Sequence, residues 1–145
     1  MTITPDREFN IVDRRKKPRI FVSAEDHARL TQLANAAMDR MPNLASGLAE
    51  ELERADVIPA GRNLDGIVCV GNEVEFRDDT SGNVRMVELV YPEAADIEAG
   101  RISVLTPVGT ALLGLRVGDT IDWETPAGES RSLTIIAVRE PPSNK

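Results

Sequence analysis

The sequence is poor in the residues from which most catalytic and metal sites are built. Its 145 residues include one cysteine, one histidine, one tryptophan and one tyrosine. A single cysteine, Cys69, excludes an internal disulfide and cannot by itself make a zinc site. It lies in the apolar run IVCV (67–70), where we expect a buried structural thiol. No cysteine or serine constellation is recognisable around His27, so we expect a solvent-facing helix residue and not a catalytic base.

Long apolar segments are also missing. No run approaches the roughly 18–20 residues that span a bilayer, and the first 20 residues lack the apolar centre of a secretory signal. We therefore expect a cytoplasmic protein without membrane contact. With 41% apolar and 28% charged residues, the chain has the composition of an ordinary globular protein. It has room for one medium core, or for a small domain plus an appendage.

Charge is distributed unevenly along the chain. Residues 1–21 hold six basic and three acidic residues, a net charge of +3, so the remainder carries −10 of the total of −7. An acidic body repels nucleic acid, and we expect no direct sequence-specific binding to it. The basic cluster RRKKPR (14–19) is typical of a solvated, flexible tail over residues 1–21; contact with a phosphate or an acidic protein face is the alternative.

The first half of the chain carries the signals of two helices. Ser23 is well placed as an N-cap, and Asp26 is a weaker capping-box partner than Glu or Gln. Pro42 cannot continue the first helix, and Asn43 can cap the second, which should end before Pro59. Both helices have apolar residues at the spacing of one helix face. These are Leu30, Leu33, Ala34, Ala37, Met38 and Met41 in the first, and Leu44, Leu48, Leu52 and Ala55 in the second.

The two apolar stripes predict an antiparallel helical hairpin, a short coiled coil, over residues 22–57. Its first arm, from Ala24 to Arg40, should be about 25 Å long. Glu50, Glu51 and Glu53 lie along the second helix, and we interpret them as a solvated helix face and not a metal site. Residues 58–66, rich in turn formers, read as a linker.

The second half is strand-like. Segments IVCV, EVEFRD, VRMVELVY, RISVL, TIDWET and LTIIAVRE have strand composition, and DDTSGN (78–83) is typical of a hairpin turn. Pro107 can begin a short helix that Gly114 ends. These elements predict an α+β domain over residues 67–141, in which a mostly antiparallel sheet carries one short helix, with residues 142–145 as a tail.

The stretch from 101 to 140, RISVLTPVGTALLGLRVGDTIDWETPAGESRSLTIIAVRE, resembles the C-terminal domain of the bacterial Gre transcript-cleavage factors, which is FKBP-like. Together with VRMVELVYPEAADI and the short hairpin, residues 20–140 resemble the Rnk family, the regulators of nucleoside diphosphate kinase, within the Gre superfamily. The most specific segments are VYP (90–92), PVGTALLGLRVGD (107–119) and WETPAGE (123–129).

The resemblance implies a protein that associates with RNA polymerase. Gre factors dock their C-terminal domain at the rim of the secondary channel and pass a helical hairpin toward the active centre. An Asp-x-x-Glu pair at the hairpin tip helps to hold a second magnesium ion for transcript hydrolysis. Two carboxylates on adjacent helical turns are suited to a hard cation, and a second metal stabilises the attacking oxygen.

The tip of this hairpin departs from that pattern. Asp39 is its only acidic residue, Pro42 replaces the required Glu three positions later, and Arg40 adds a positive charge. Asp39 is then a solvated helix-end residue and not a metal ligand. The resemblance also implies that Gre hairpins are roughly twice as long. We therefore predict no catalytic residue, no metal and no cofactor.

Two other enzymatic interpretations have less support. Prolyl isomerase activity, raised by the FKBP-like fold, needs a concave aromatic pocket. The domain offers only Phe76, Tyr91 and Trp123, all in predicted strands, where core or edge packing is expected. The segment GRNLDG (61–66) lacks the Lys and Ser/Thr of a phosphate-binding P-loop.

Two functions remain open. The preferred one is a non-catalytic, monomeric regulator that docks on RNA polymerase near the secondary channel. The alternative is a Gre-type cleavage and elongation factor with weak metal-dependent activity, in which Asp39 is a ligand. Direct contact with nucleoside diphosphate kinase is suggested only by the family's name. Carried over by position, the predicted polymerase contacts are Thr106, Pro107, Val108, Thr110 and Ala111, followed by the tip residues Asp39, Arg40 and Met41.

Overall fold

A computed structural model describes residues 18–124 and 127–140 of the chain. The helical hairpin comes first along the chain and the sheet second. One short strand precedes the two helices and another follows them. They are β1 (Phe21–Ser23), α1 (Ala24–Ala37), α2 (Pro42–Arg54), β2 (Asp56–Ile58), β3 (Glu73–Asp78), β4 (Val84–Val90), β5 (Arg101–Ser103), α3 (Pro107–Leu112), β6 (Thr120–Glu124) and β7 (Ser130–Arg139).

The two long helices form the predicted hairpin, with bounds that differ from expectation. Ser23 caps α1, since its side chain accepts a hydrogen bond of 3.1 Å from the backbone N–H of Asp26. Helix α1 ends at Ala37, three residues before the predicted end at Arg40. Helix α2 begins at Pro42, so the prediction that Asn43 caps it is wrong. Proline suits this first position because the N–H that it lacks has no partner within the helix.

A five-stranded sheet in the order β5-β4-β3-β7-β6 forms the second half. Three of its four pairings are antiparallel, which confirms the predicted mostly antiparallel sheet, and the fourth, between β4 and β5, is parallel. The reason is the connection between these two strands. Two 3-10 turns, Pro92–Ala94 and Ile97–Ala99, carry the chain back to a point beside Glu88 of β4, and β5 then runs in the same direction as the last residues of β4.

Most of the predicted strands are present, but IVCV is not one of them. Ile67 forms only an isolated bridge with Arg116. Val68 is fully buried, and its backbone N–H donates to the carbonyl of Leu115 at 2.8 Å while its own carbonyl accepts from Gly114 at 2.9 Å. The apolar run is therefore explained by burial against the segment after α3, without strand pairing to the main sheet.

The N-terminal segment is part of the core from its first described residues. Ile20, which fell in the predicted tail, has 1% exposure, and the backbone N–H of Phe21 donates to the carbonyl of Gly114 at 3.0 Å. Strand β1 pairs in parallel with β2, which places Ser23 opposite Ile58 of the predicted linker. Ile20 and Phe21 of the predicted tail therefore contact the rest of the fold. Residues 1–17 and 141–145 lie outside the described part.

The hairpin and the sheet share one hydrophobic core. A continuous cluster of buried side chains joins Leu30 of α1 and Leu48 of α2 to Leu112 of α3 and Ile135 of β7. On β4, Val87, Leu89 and Val90 are buried, whereas Val84 and Met86 are exposed. The hairpin is consequently packed against the C-terminal domain.

Candidate functional site

Helix α3 is built by local hydrogen bonds of the segment that the sequence singled out. Thr106 is its N-cap: the Oγ1 atom accepts from the N–H of Gly109 at 3.0 Å and donates to the carbonyl of Ser103 at 2.7 Å. Pro107 occupies the first helical position, and Gly114 beyond the helix end has a φ of +79°. The predicted roles of Pro107 and Gly114 in forming this helix are confirmed.

The five residues predicted to contact polymerase differ in how much surface they present. Ala111 is buried, with 8% exposure. Thr106, Pro107, Val108 and Thr110 are half-buried, and Val108 packs against the core. Thr110 also donates its hydroxyl to the carbonyl of Val104 at 2.8 Å. The hydroxyls of Thr106 and Thr110 are thus used in hydrogen bonds within the domain. The five residues therefore offer mainly apolar surface to a partner.

Three of these residues, Pro107, Thr110 and Ala111, line one wall of a groove of about 360 Å³. The opposite wall belongs to α2, where Gly47 leaves room between the helices, and Trp123 lies on the β6 side. We call this the α2–α3 groove. Its other described lining residues are Asn43, Leu44, Glu50, Glu51, Ile121 and Asp122. The α2 wall was not predicted from the sequence.

Glu51 corrects the interpretation of the glutamate cluster as a solvated face. Its exposure is 4%, and Arg54 binds its carboxylate at 2.9 Å, whereas Glu50 and Glu53 are exposed. The position of Glu51 on the side of α2 that faces α3 explains its burial. A buried carboxylate in this place brings negative charge to the groove wall, with the Arg54 guanidinium as a partner.

The predicted tip residues lie in the turn between α1 and α2. Asp39 and Arg40 are exposed, and Met41 is half-buried and packs against the core. The backbone N–H of Met41 donates to the carbonyl of Ala37 at 2.8 Å, which closes the turn. The tip residues are not among the described groove-lining residues, but Asn43 is, so the groove begins beside the tip.

The remaining candidate residues serve the structure. His27 is half-buried and its Nε2 atom lies 3.0 Å from the carbonyl oxygen of Leu52, so the prediction of a solvent-facing side chain is wrong. Phe76 is buried, and Tyr91 and Trp123 pack at the edge of the core, as predicted. Burial raises the pKa of Cys69, which is half-buried, to about 11.

Within residues 18–124 and 127–140, no three His, Cys, Asp or Glu side chains are grouped so that they could hold a metal ion. The described helices are also too short or too polar to cross a membrane.

Both halves of the chain match known protein families. Residues 63–140 match the family model "Transcription elongation factor, GreA/GreB, C-term", and residues 18–58 match "Rnk N-terminus". The regulator of nucleoside diphosphate kinase of Escherichia coli K12 is 34% identical over 126 residues, covering 87% of this chain and 93% of the relative. Transcription elongation factor GreA of Rhodospirillum rubrum is 37% identical over 139 residues, covering 92% and 87%.

A solved structure supports the same grouping. A GreA/GreB transcription elongation factor of Nitrosomonas europaea superposes with a TM-score of 0.66 at 36% identity, covering 85% of this chain and 99% of the other. The match includes the hairpin and the sheet, since it extends over most of both chains. With its GreA/GreB-type C-terminal domain and Rnk-type N-terminus, the chain belongs to the Gre superfamily and, within it, to the Rnk-like regulators.

Proposed function

We propose that the protein is a non-catalytic regulator of transcription that binds RNA polymerase through its C-terminal domain near the secondary channel. The observation that carries the proposal is the hairpin tip. Asp39 is the only carboxylate between the two helices, and the position three residues later is Pro42, the first residue of α2. The names of the relatives, which are elongation factors and a regulator, support the connection with transcription.

The tip is poorly suited to metal-assisted hydrolysis. A hard divalent cation takes several oxygen ligands, and a single exposed Asp39 beside the cationic Arg40 supplies one carboxylate. The short first arm of the hairpin also argues against hydrolysis at the polymerase active centre, because α1 has 14 residues and is about 21 Å long. Because the hairpin is also packed into the common core, it is suited to occupy a channel mouth and to compete with longer factors.

The docking surface that we propose centres on Pro107, Val108 and Thr110, with the tip in second place. The protein acts as a cytoplasmic monomer in this proposal, with polymerase as its partner and without sequence-specific contact to nucleic acid. The acidic body favours a protein partner over a nucleic acid, since it carries −10 beyond residue 21.

Binding of the purified full chain to core RNA polymerase tests the docking surface. Pro107→Glu adds a charge at the first helical position, where the residue needs no N–H partner and an acid favours the helix dipole. We expect it to weaken binding about tenfold, the effect of about 1.4 kcal/mol. Ile97→Glu is the control, because Ile97 is 85% exposed and lies outside the predicted contacts. Absence of binding by the unaltered chain would exclude the proposal.

A transcript-cleavage assay on backtracked polymerase decides between this function and a weak cleavage factor. We expect no RNA shortening with Mg²⁺ above the rate of polymerase alone. Shortening that is lost in Asp39→Asn but kept in Asp65→Asn, an exposed aspartate of the loop before Val68, would establish the cleavage activity instead.

A further inference from the structure

The α2–α3 groove has an acidic rim and an apolar floor. The exposed carboxylates of the rim are Glu50 on the α2 side and Asp122 on the β6 side. Glu51 is buried beneath the rim and paired with Arg54, and Leu44 and Trp123 provide apolar surface between the two sides. None of the described residues that line the groove is a lysine or arginine. Long basic side chains match such a surface, because their aliphatic stems can cover the apolar floor while the charged ends meet the carboxylates.

The N-terminal segment enters the described structure beside this groove. Arg54 donates from Nη1 to the carbonyl of Pro18 at 2.7 Å, and the same guanidinium binds Glu51 of the groove wall. Two residues further on, the carbonyl of Ile20 accepts a hydrogen bond from the N–H of Asp56 at 2.9 Å. Arg54 therefore holds Pro18 close to the Glu51 end of the groove.

The residues just before Pro18 match the groove in charge and length. Arg14, Arg15, Lys16 and Lys17 carry four consecutive positive charges. Four extended residues cover about 13 Å. The α2 wall from Asn43 to Glu51 covers about 12 Å at the helical rise.

We propose that residues 14–17 dock in the α2–α3 groove of their own chain, as a basic strap along its acidic rim. The strap covers Pro107, Thr110 and Ala111, so a partner that uses this face has to displace it. This regulatory consequence rests on the proposed function, but docking of the strap does not. Because the attraction is between exposed charges, it weakens with increasing salt.

Trp123 offers a direct measurement, because it is the only tryptophan of the chain and lines the groove. Acrylamide quenching of its fluorescence is measured on the full chain without polymerase. The test variant is the full chain with Arg14→Ser, Arg15→Ser, Lys16→Ser and Lys17→Ser. At 20 mM salt we expect the quenching constant of this variant to be at least about twofold higher, and at 1 M salt, where the Debye length is about 3 Å, we expect the two to agree.

Substitutions on the groove side provide the matched pair. Glu50→Gln with Asp122→Asn removes two rim charges and should raise the quenching of Trp123 as the serine variant does. When the groove and serine substitutions are combined in one chain, we expect no further rise in quenching. Glu53→Gln is the control: this residue is on the same helix but lines the cavity beside His27. We expect no change for it.

Two results would overturn the strap. One is equal quenching of the unaltered chain and the serine variant at low salt. The other is a difference that grows with protein concentration, which would mean that the segment docks on a second copy. Polymerase binding is scored separately: if neither protein binds polymerase, the proposed function fails while the quenching result stands. If the strap docks and the protein also binds polymerase, the serine variant binds polymerase more tightly than the unaltered chain at low salt.

Discussion

Tyr91 donates a hydrogen bond of 3.0 Å from its hydroxyl to the carboxylate of Asp26. The bond joins the end of β4 to the first turn of α1, and the guanidinium of Arg29 lies 3.9 Å from the centre of the Tyr91 ring. Burial, followed by the charge of Asp26, raises the pKa of Tyr91, so the hydroxyl remains a donor at neutral pH. The VYP segment is therefore one of the places where the sheet holds the hairpin.

We expect Tyr91→Phe to lower the free energy of unfolding by about 1–2 kcal/mol, because it removes a hydrogen bond to a charged acceptor. The ring beneath Arg29 is retained in this variant. Urea unfolding of Tyr91→Phe, Asp26→Asn and the double variant measures the coupling. Losses that simply add in the double variant would show that the two side chains do not interact.

Gly114 allows the N-terminal segment to approach the end of α3. Its φ is +79°, and a Cβ atom there would lie 2.7 Å from the Cβ of Ile20. Gly118 is a matched control with a φ of +93° and no atom within 4 Å of the corresponding position. We expect Gly118→Ala to cost about 1–2 kcal/mol through backbone strain alone.

Gly114→Ala should cost about 1–3 kcal/mol more than Gly118→Ala, because the added methyl group also has to displace Ile20. Urea unfolding followed by circular dichroism gives both values. Equal losses for the two variants would mean that residues 18–21 move away without loss of packing energy.

Local signals in the sequence predicted the regular elements well. EVEFRD alternates and ends at a turn, and it forms β3 with the same bounds. The cap at Ser23 and the helix start at Pro107 depend on neighbours three residues away, which the sequence shows directly. The resemblance to Gre factors then supplied the family and the fold.

Contacts between distant segments account for what was missed. Strands β1 and β2 are three residues each and gain their order from pairing with one another across the hairpin. The stripe of Leu44, Leu48 and Leu52 predicted one apolar side of α2 that packs in the hairpin, but α2 also packs toward α3, where Leu44 lines the groove. The packing toward α3 buries Glu51 and forms the groove, and neither can be predicted from helical periodicity.

Cys69 should react slowly in the native protein. Burial, followed by the negative charges of Asp26 and Glu140, raises its pKa from 9.0 to about 11. At pH 8 a shift of this size lowers the thiolate fraction about 100-fold. We expect alkylation by iodoacetamide to be slower by about that factor than in 8 M urea. Cys69 is the only cysteine, so the Cys69→Ser variant gives the background, and similar rates with and without urea would contradict the prediction.

The turn between β3 and β4 should contribute to the acid dependence of stability. Asp79 accepts 2.6 Å and 2.7 Å hydrogen bonds from the hydroxyl of Thr134 and the Nε of Arg77. The Thr134 hydroxyl, followed by Arg77, holds the pKa of Asp79 below its usual value. The unfolded chain binds a proton there more readily than the native one, so the stabilising contribution is present above the usual pKa of about 3.9 and is lost as pH falls through the lower native value.

We expect Asp79→Asn and Thr134→Val to reduce the difference between the free energies of unfolding at pH 6 and pH 3. Thr120→Val is the control for Thr134→Val, since the Thr120 hydroxyl lies 2.8 Å from that of Thr134 on the neighbouring strand. It leaves the donor to Asp79 in place and should retain most of the acid dependence. If Thr134→Val and Thr120→Val lose stability equally at both pH values, the carboxylate of Asp79 is not the group that titrates.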